Sequence, residues 1–170
     1  MNLSYKELIP SHFSDDSRVW IYQCNRIFSI SEALQIEEKL QEFTLNWKSH
    51  QTPVRGFATL FFGQFIVLMA DETATGVSGC STDSSIRLIK SFEQTYQVGL
   101  FERTLLAFVI KDKVELLPFS QITYAFENNF INRDTLFFDN NIENKNGLVH
   151  NWIIPVQDSW IWKRVSKSIV

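Results

Sequence analysis

The sequence predicts an α+β fold, specifically a ferredoxin-like βαββαβ sandwich: an antiparallel sheet with helices on one face, extended by a C-terminal hairpin, short helix and strand. Three observations carry this. Apolar residues recur every three or four positions across residues 30–48 and again across 86–96, the spacing of two amphipathic helices. Short runs rich in β-branched and aromatic residues stand at 18–25, 54–62, 65–71 and 105–111. Their order, strand–helix–strand–strand–helix–strand, is that of the split βαβ motif. The 170 residues form one domain on this reading, with an irregular segment at 1–17, the core at 18–111 and the extension at 112–170.

Tyr5-Lys6-Glu7-Leu8 suits a single helical turn, followed by a polar loop. Residues 18–25 (RVWIYQCN) read as the first strand. Ser29 and Glu32 form a capping box, since a Ser side chain can accept from the N3 amide while Glu at N3 reaches back. Ala33, Ile36, Leu40, Phe43 and Trp47 continue the stripe behind it, Glu37-Glu38 fall on the solvent side, and Pro53 marks the exit. The runs 54–62 and 65–71 are split by Gly63-Gln64, which fits a tight hairpin. Ile86, Ile89, Phe92 and Tyr96 make the second stripe, with Gly99 as the residue ending it. Residues 105–111 and 114–118 form a hairpin about Asp112-Lys113, followed by a short helix at 119–128, a strand at 135–139 and a helical stretch at 141–151. The tail from Pro155 to Val170 carries Trp160-Ile161-Trp162 and is too aromatic to hang free, so it docks on the body.

Composition excludes several functions. The net charge of −3 and the lack of any basic run longer than Lys163-Arg164 argue against nucleic-acid binding. The longest apolar run, 65–70, is too short to cross a bilayer, and the first ten residues lack a signal-peptide pattern. Two cysteines without zinc spacing, and His12 and His150 without companions, give no reason to expect a metal or cofactor. These features together place the chain in the cytoplasm with reduced thiols. Asp139-Asn140-Asn141 lacks the alternating acids of a calcium loop and reads as a turn.

One stretch is chemically distinct. Residues 76–85 (GVSGCSTDSS) crowd two glycines, hydroxyls, a thiol and a carboxylate between apolar elements and lead into a helix. The split βαβ topology makes strands 18–25 and 54–62 parallel, with 65–71 running back between them. One edge then gathers Arg18, His50, Arg55, Asp71 and the 76–85 loop. Cys24 falls at the far end of its strand, roughly 20 Å away at ~3.3 Å per residue, so no Cys24–Cys80 disulfide is expected.

Four readings of the loop remain open. It is structural, with Ser81 or Thr82 capping the helix. It binds a small anion through the amides of Gly79, Cys80, Ser81, Thr82, Asp83, Ser84 and Ser85, assisted by Arg18 or Arg55. It supplies Cys80 as a nucleophile or redox thiol, with His50 as base and Asp71 orienting it. Or it contacts a protein partner, a role the aromatic residues Trp152, Trp160 and Trp162 also suit. A binding module for a small anionic ligand or partner leads, ahead of a thiol-dependent enzyme or sensor and an adaptor.

Arg18-Val19-Trp20-Ile21-Tyr22-Gln23, residues 78–85 (SGCSTDSS) and Gln157-Asp158-Ser159-Trp160 resemble a family of small uncharacterised Bacteroidetes proteins over nearly the whole length. Its members often carry the label "ABC transporter ATPase", and the resemblance implies no established activity. A phosphate-binding P-loop needs G-x-x-x-x-G-K-[ST]; residues 76–81 lack the lysine and the glycine spacing, so nucleotide hydrolysis is not expected from these residues.

Overall fold

A computed structural model describes residues 1–166. Among the described residues the fold is α+β with antiparallel sheets and five α-helices. Strand β1 (Arg18–Gln23) leads into helix α1 (Ile30–Asn46), whose capping box forms as the sequence requires, with Ser29 accepting from the Glu32 amide and Glu32 accepting from the Ser29 amide. A two-rung hairpin, β2 (Lys48–Ser49) and β3 (Thr52–Pro53), turns through His50 and Gln51, both at positive φ. This hairpin is not visible in the apolar pattern, because it buries only Ser49.

Strands β4 (Arg55–Phe61) and β5 (Phe65–Asp71) form the next hairpin. The first sheet has the order β1-β5-β4, with β5 antiparallel to both neighbours, so β1 and β4 run parallel with β5 between them. Helix α2 (Gly79–Tyr96) follows and ends on Gln97 in the left-handed region rather than on Gly99. The Val98 amide then donates to Glu93 O, closing the final turn one residue before the glycine.

Here the structure departs from the ferredoxin-like arrangement, which needs a fourth strand on the open edge of β1. Strand β6 (Leu105–Ile110) instead joins β7 (Lys113–Pro118), β8 (Leu136–Phe138) and β9 (Ile153–Pro155) in a second sheet of order β7-β6-β8-β9. The reason lies in β6 itself. Its sequence LLAFVI is apolar on both faces, and a sheet with helices on one side only would leave one face in water. In the second sheet Ala107 and Val109 face the first sheet, while Leu106, Phe108 and Ile110 face α3 (Ile122–Glu127) and α5 (Trp162–Val165).

The molecule therefore has four layers. Ile36, Leu40, Ile89 and Phe92 of α1 and α2 pack on Tyr22, Ile66 and Leu68. The opposite face, through Val19, Ile21, Phe65, Val67 and Met69, meets Ala107, Phe138 and Trp152. Helix α4 (Lys145–Asn151) and the N-terminal segment close that seam: Tyr5 Oη donates to Leu148 O at 2.7 Å, and burial pushes the Tyr5 hydroxyl up to about 12. Lys145 Nζ donates to Phe13 O at 2.6 Å and Ser11 O at 3.3 Å. The aromatic tail docks up to residue 166, with Ile161 and Val165 buried and Trp162 against Phe126; residues 167–170 lie outside the described part.

Glu37 also departs from the sequence reading. It is half-buried, and its Oε1 accepts from Leu60 N at 2.7 Å and Thr59 Oγ1 at 2.9 Å, satisfying one outward amide of β4. Gly56, on the same strand, is fixed by close approach. A Cβ there would lie 2.7 Å from Trp47 Cε3, and that ring is held by a hydrogen bond from Nε1 to Ser81 O at 3.0 Å. Gly56→Ala should therefore cost about 1–3 kcal/mol of stability in urea unfolding by overpacking. Gly79→Ala, where a Cβ meets nothing within 4 Å, should stay within about 0.5 kcal/mol.

Candidate functional site

Helix α2 begins earlier than its apolar stripe. Its cap is Ser78, neither Ser81 nor Thr82, and the Ser78 hydroxyl accepts from the Ser81 amide at 3.4 Å. Ser81 and Thr82 donate their hydroxyls to Ser78 O, Ser84 to Ser81 O and Ser85 to Thr82 O, at 2.7–3.1 Å. These bonds back to the preceding turn let a hydroxyl-rich run remain helical. Ser81 and Ser85 are buried, while Gly79, Cys80 and Asp83 are exposed. The start of the helix is tied down by Ser49 Oγ, which accepts from the Ser78 amide at 3.2 Å, and by Glu72, which accepts from the Val77 amide at 2.7 Å.

The other predicted residues lie at the expected end of the first sheet but in different associations. Arg55 pairs across the ladder with Asp71, and Nη1 reaches Asp71 Oδ2 at 3.0 Å. The Arg55 guanidinium also lies over the Phe13 ring at 5.2 Å. Burial pushes the Asp71 carboxyl up, but hydrogen bonds from Thr73 and the charge of Arg55 outweigh it, so the group titrates below the ordinary carboxylate range. His50 is exposed in the β2–β3 turn, and no hydrogen bond joins it to Asp71 or Cys80 among the described residues. Arg18 lies over the Trp20 ring at 5.0 Å. Cys24 and Cys80 are both free thiols; Cys24 is fully buried and burial raises its pKa, while Cys80 is exposed.

The pronounced concavity is elsewhere, on the outer edge of β1. Two adjoining cavities of about 370 and 550 Å³ share Ile21, Arg103, Asn140 and Asn141 in their walls, and form one cleft between β1 and the 140–144 segment. The smaller lobe has an apolar lining that includes Leu106, Phe119, Phe137 and Trp160; the larger is polar and includes Asp16, Arg18, Glu143 and Asn144. A chain of hydrogen bonds fixes the junction. Trp152 Nε1 donates to Asn140 Oδ1 at 3.0 Å, Asn140 Nδ2 to Gln23 Oε1 at 2.9 Å, and Gln23 Nε2 to Leu105 O at 3.1 Å. Arg103 stands near Tyr22: burial raises the Tyr22 hydroxyl and the Arg103 charge draws it partly back.

Of the residues expected at the 76–85 site, only Arg18 lines this cleft, and of the tryptophans suited to a partner contact, Trp160 does. Gln23, Arg103, Asn140 and Asn141 carry no local motif. Gln23 is the single polar residue between Val19 and Cys24, and that interruption of an apolar strand is the one sequence signal pointing to the cleft. Among the described residues no three His, Cys, Asp or Glu side chains converge as a metal site, and no helix is long and apolar enough to cross a membrane. Fold and cleft together define an α+β protein with a recessed sheet edge. No protein-family model, curated protein or solved structure matches the chain.

The Arg55–Asp71 pair has a definite pH signature. A carboxyl held low in the native state adds stability above its unfolded pKa of about 3.9, and that stability is lost as pH falls through the native value. Arg55→Ala should raise the Asp71 pKa, seen by carboxyl NMR titration. Its destabilisation in urea should be fully present at pH 7 and shrink below about pH 3.9. Equal destabilisation at pH 7 and pH 2.5 would assign the loss to packing on Phe13 instead.

Proposed function

We propose that this chain is a binding module for a small ligand with an apolar body and an acidic group, held in the cleft beside β1. The observation that carries the reading is the pairing of an apolar lobe, large enough for a small ring, with the exposed guanidinium of Arg103 at the junction of the two cavities. Binding pockets are mostly apolar with a few fixed polar groups, and cavities of 300–1,000 Å³ are typical. The Trp152–Asn140–Gln23 chain holds the wall in place before any ligand arrives, so little ordering cost falls on binding. Arg18 also lines the polar lobe, beside the acidic Asp16 and Glu143.

A second reading places an inorganic anion at the start of α2. It is favoured by Gly76 and Gly79, which neither a positive φ nor a close contact requires, beside exposed first-turn residues. A thiol-dependent enzyme would need Cys80, His50 and Asp71 to move together, because the Asp71 carboxylate is engaged by Arg55 and Thr73.

Thermal unfolding with phenylacetate, phenylacetamide and phosphate, each against chloride at matched ionic strength, separates these readings. Phenylacetate should raise Tm saturably, by roughly 5–10 °C at a hundredfold excess over Kd. Phenylacetamide should do markedly less, and Arg103→Ala should remove the difference between them. A saturating response to phosphate alone would move the site to the helix start.

A further inference from the structure

The edge of β1 is the part of the cleft whose chemistry is most specific. In the ladder with β5, even-numbered residues of β1 turn their amides inward, as the Cys24 amide shows by donating to Gln64 O at 2.8 Å. Odd-numbered residues turn theirs outward. The outward groups at the start of β1 are already engaged by an antiparallel segment: the Val19 amide donates to Glu143 O, and the Lys145 amide to Ser17 O, both at 2.9 Å, around the Arg18–Asn144 bridge.

Continued in register, that segment would meet Ile21 and Gln23 next. It does not, because Asn140 is drawn aside by Trp152 and the Gln23 side chain. The chain leaves the edge and the cleft opens in its place, with Ile21 lining both lobes and Gln23 the smaller one. The outward backbone N–H and C=O of Ile21 and Gln23 pair with no group among the described residues, and both residues line the cleft. Unpaired backbone groups on a strand edge invite pairing with another chain. Two such residues spaced two apart along a strand are the template for one more strand.

We propose that the ligand of this cleft is an extended peptide segment of two or three residues, added as a strand to β1 at Ile21 and Gln23, with a carboxylate on Arg103. This rests on the cleft reading above and deepens it. The ladder bonds read the peptide backbone, Arg103 pairs with its charge, and the apolar lobe under Phe119 and Trp160 takes one side chain. A free aromatic acid would fill that lobe and meet Arg103 but leave the two strand positions unpaired.

The test is amide NMR of the full chain with three probes: N-acetyl-Ala-Val-Ala with a free carboxylate, the same peptide N-methylated at its valine, and phenylacetate. The peptide should shift the amides of Ile21 and Gln23 and slow their hydrogen exchange. N-methylation should weaken binding at least about tenfold, and Arg103→Ala should weaken the peptide as well. Amides of Ile21 and Gln23 already protected in the free protein would overturn the proposal, because the edge would then be occupied by the chain itself. Phenylacetate binding with no peptide effect at those two amides would overturn it while leaving the small-ligand reading intact. No response at cleft residues to any probe would overturn both.

Discussion

Burial of β5 on both faces is the constraint on which the rest of the structure depends. All seven of its residues are buried, and its sequence FIVLMAD is apolar at odd and even positions alike. One face can be covered by α1 and α2, but Phe65, Val67 and Met69 then need a second apolar layer. At roughly 1.5–3 kcal/mol for each large side chain taken from water, that face alone represents several kcal/mol. The second sheet supplies the cover, and because β6 is itself apolar on both faces it needs α3 and α5 behind it. Four layers follow from two strands that tolerate no wet side.

The seam between the sheets is aromatic, and the polar chain through it keeps it ordered. Phe65 stacks on Phe138 at 4.6 Å between centroids, and Trp152 sits edge-on to Tyr5 at 4.9 Å and to Phe65 at 5.5 Å. A buried indole N–H here would cost free energy without a partner. Asn140 provides it and in turn engages Gln23, whose other end holds the start of β6. The satisfaction of one tryptophan thereby sets where the 140–144 segment stands, and with it the width of the cleft beside β1.

Legibility followed how local each signal was. The capping box of α1 and the β4–β5 hairpin rest on patterns within a few residues of one another, and the placing of β5 between β1 and β4 follows from the order of the elements. The sheet that β6 joins depends on what covers its second face, which no window of sequence contains. The same holds for Glu37: its position on α1 suggests water, yet it answers an unpaired amide of β4 reached only in the folded state. The hydroxyl-rich run at 78–85 looked functional because of its residue types, and most of those hydroxyls are turned back onto the helix's own carbonyls. Gln23, Asn140 and Arg103, ordinary in the sequence, converge from three separate segments.

Sheet edges explain why the cleft is where it is. An exposed edge strand presents unpaired backbone groups and invites association, so folded chains blunt them. Here the outer edge of β4 meets Glu37, and the start of β1 meets residues 143–145, pinned in turn by Lys145 on the N-terminal segment. The middle of β1 has no such partner among the described residues, and it is recessed between the 140–144 segment and Arg103 rather than presented at the surface. A recessed edge is closed to the long, flat strand of another folded molecule, which would collide with those walls. It stays open to something narrow, and that geometry guards this edge against aggregation.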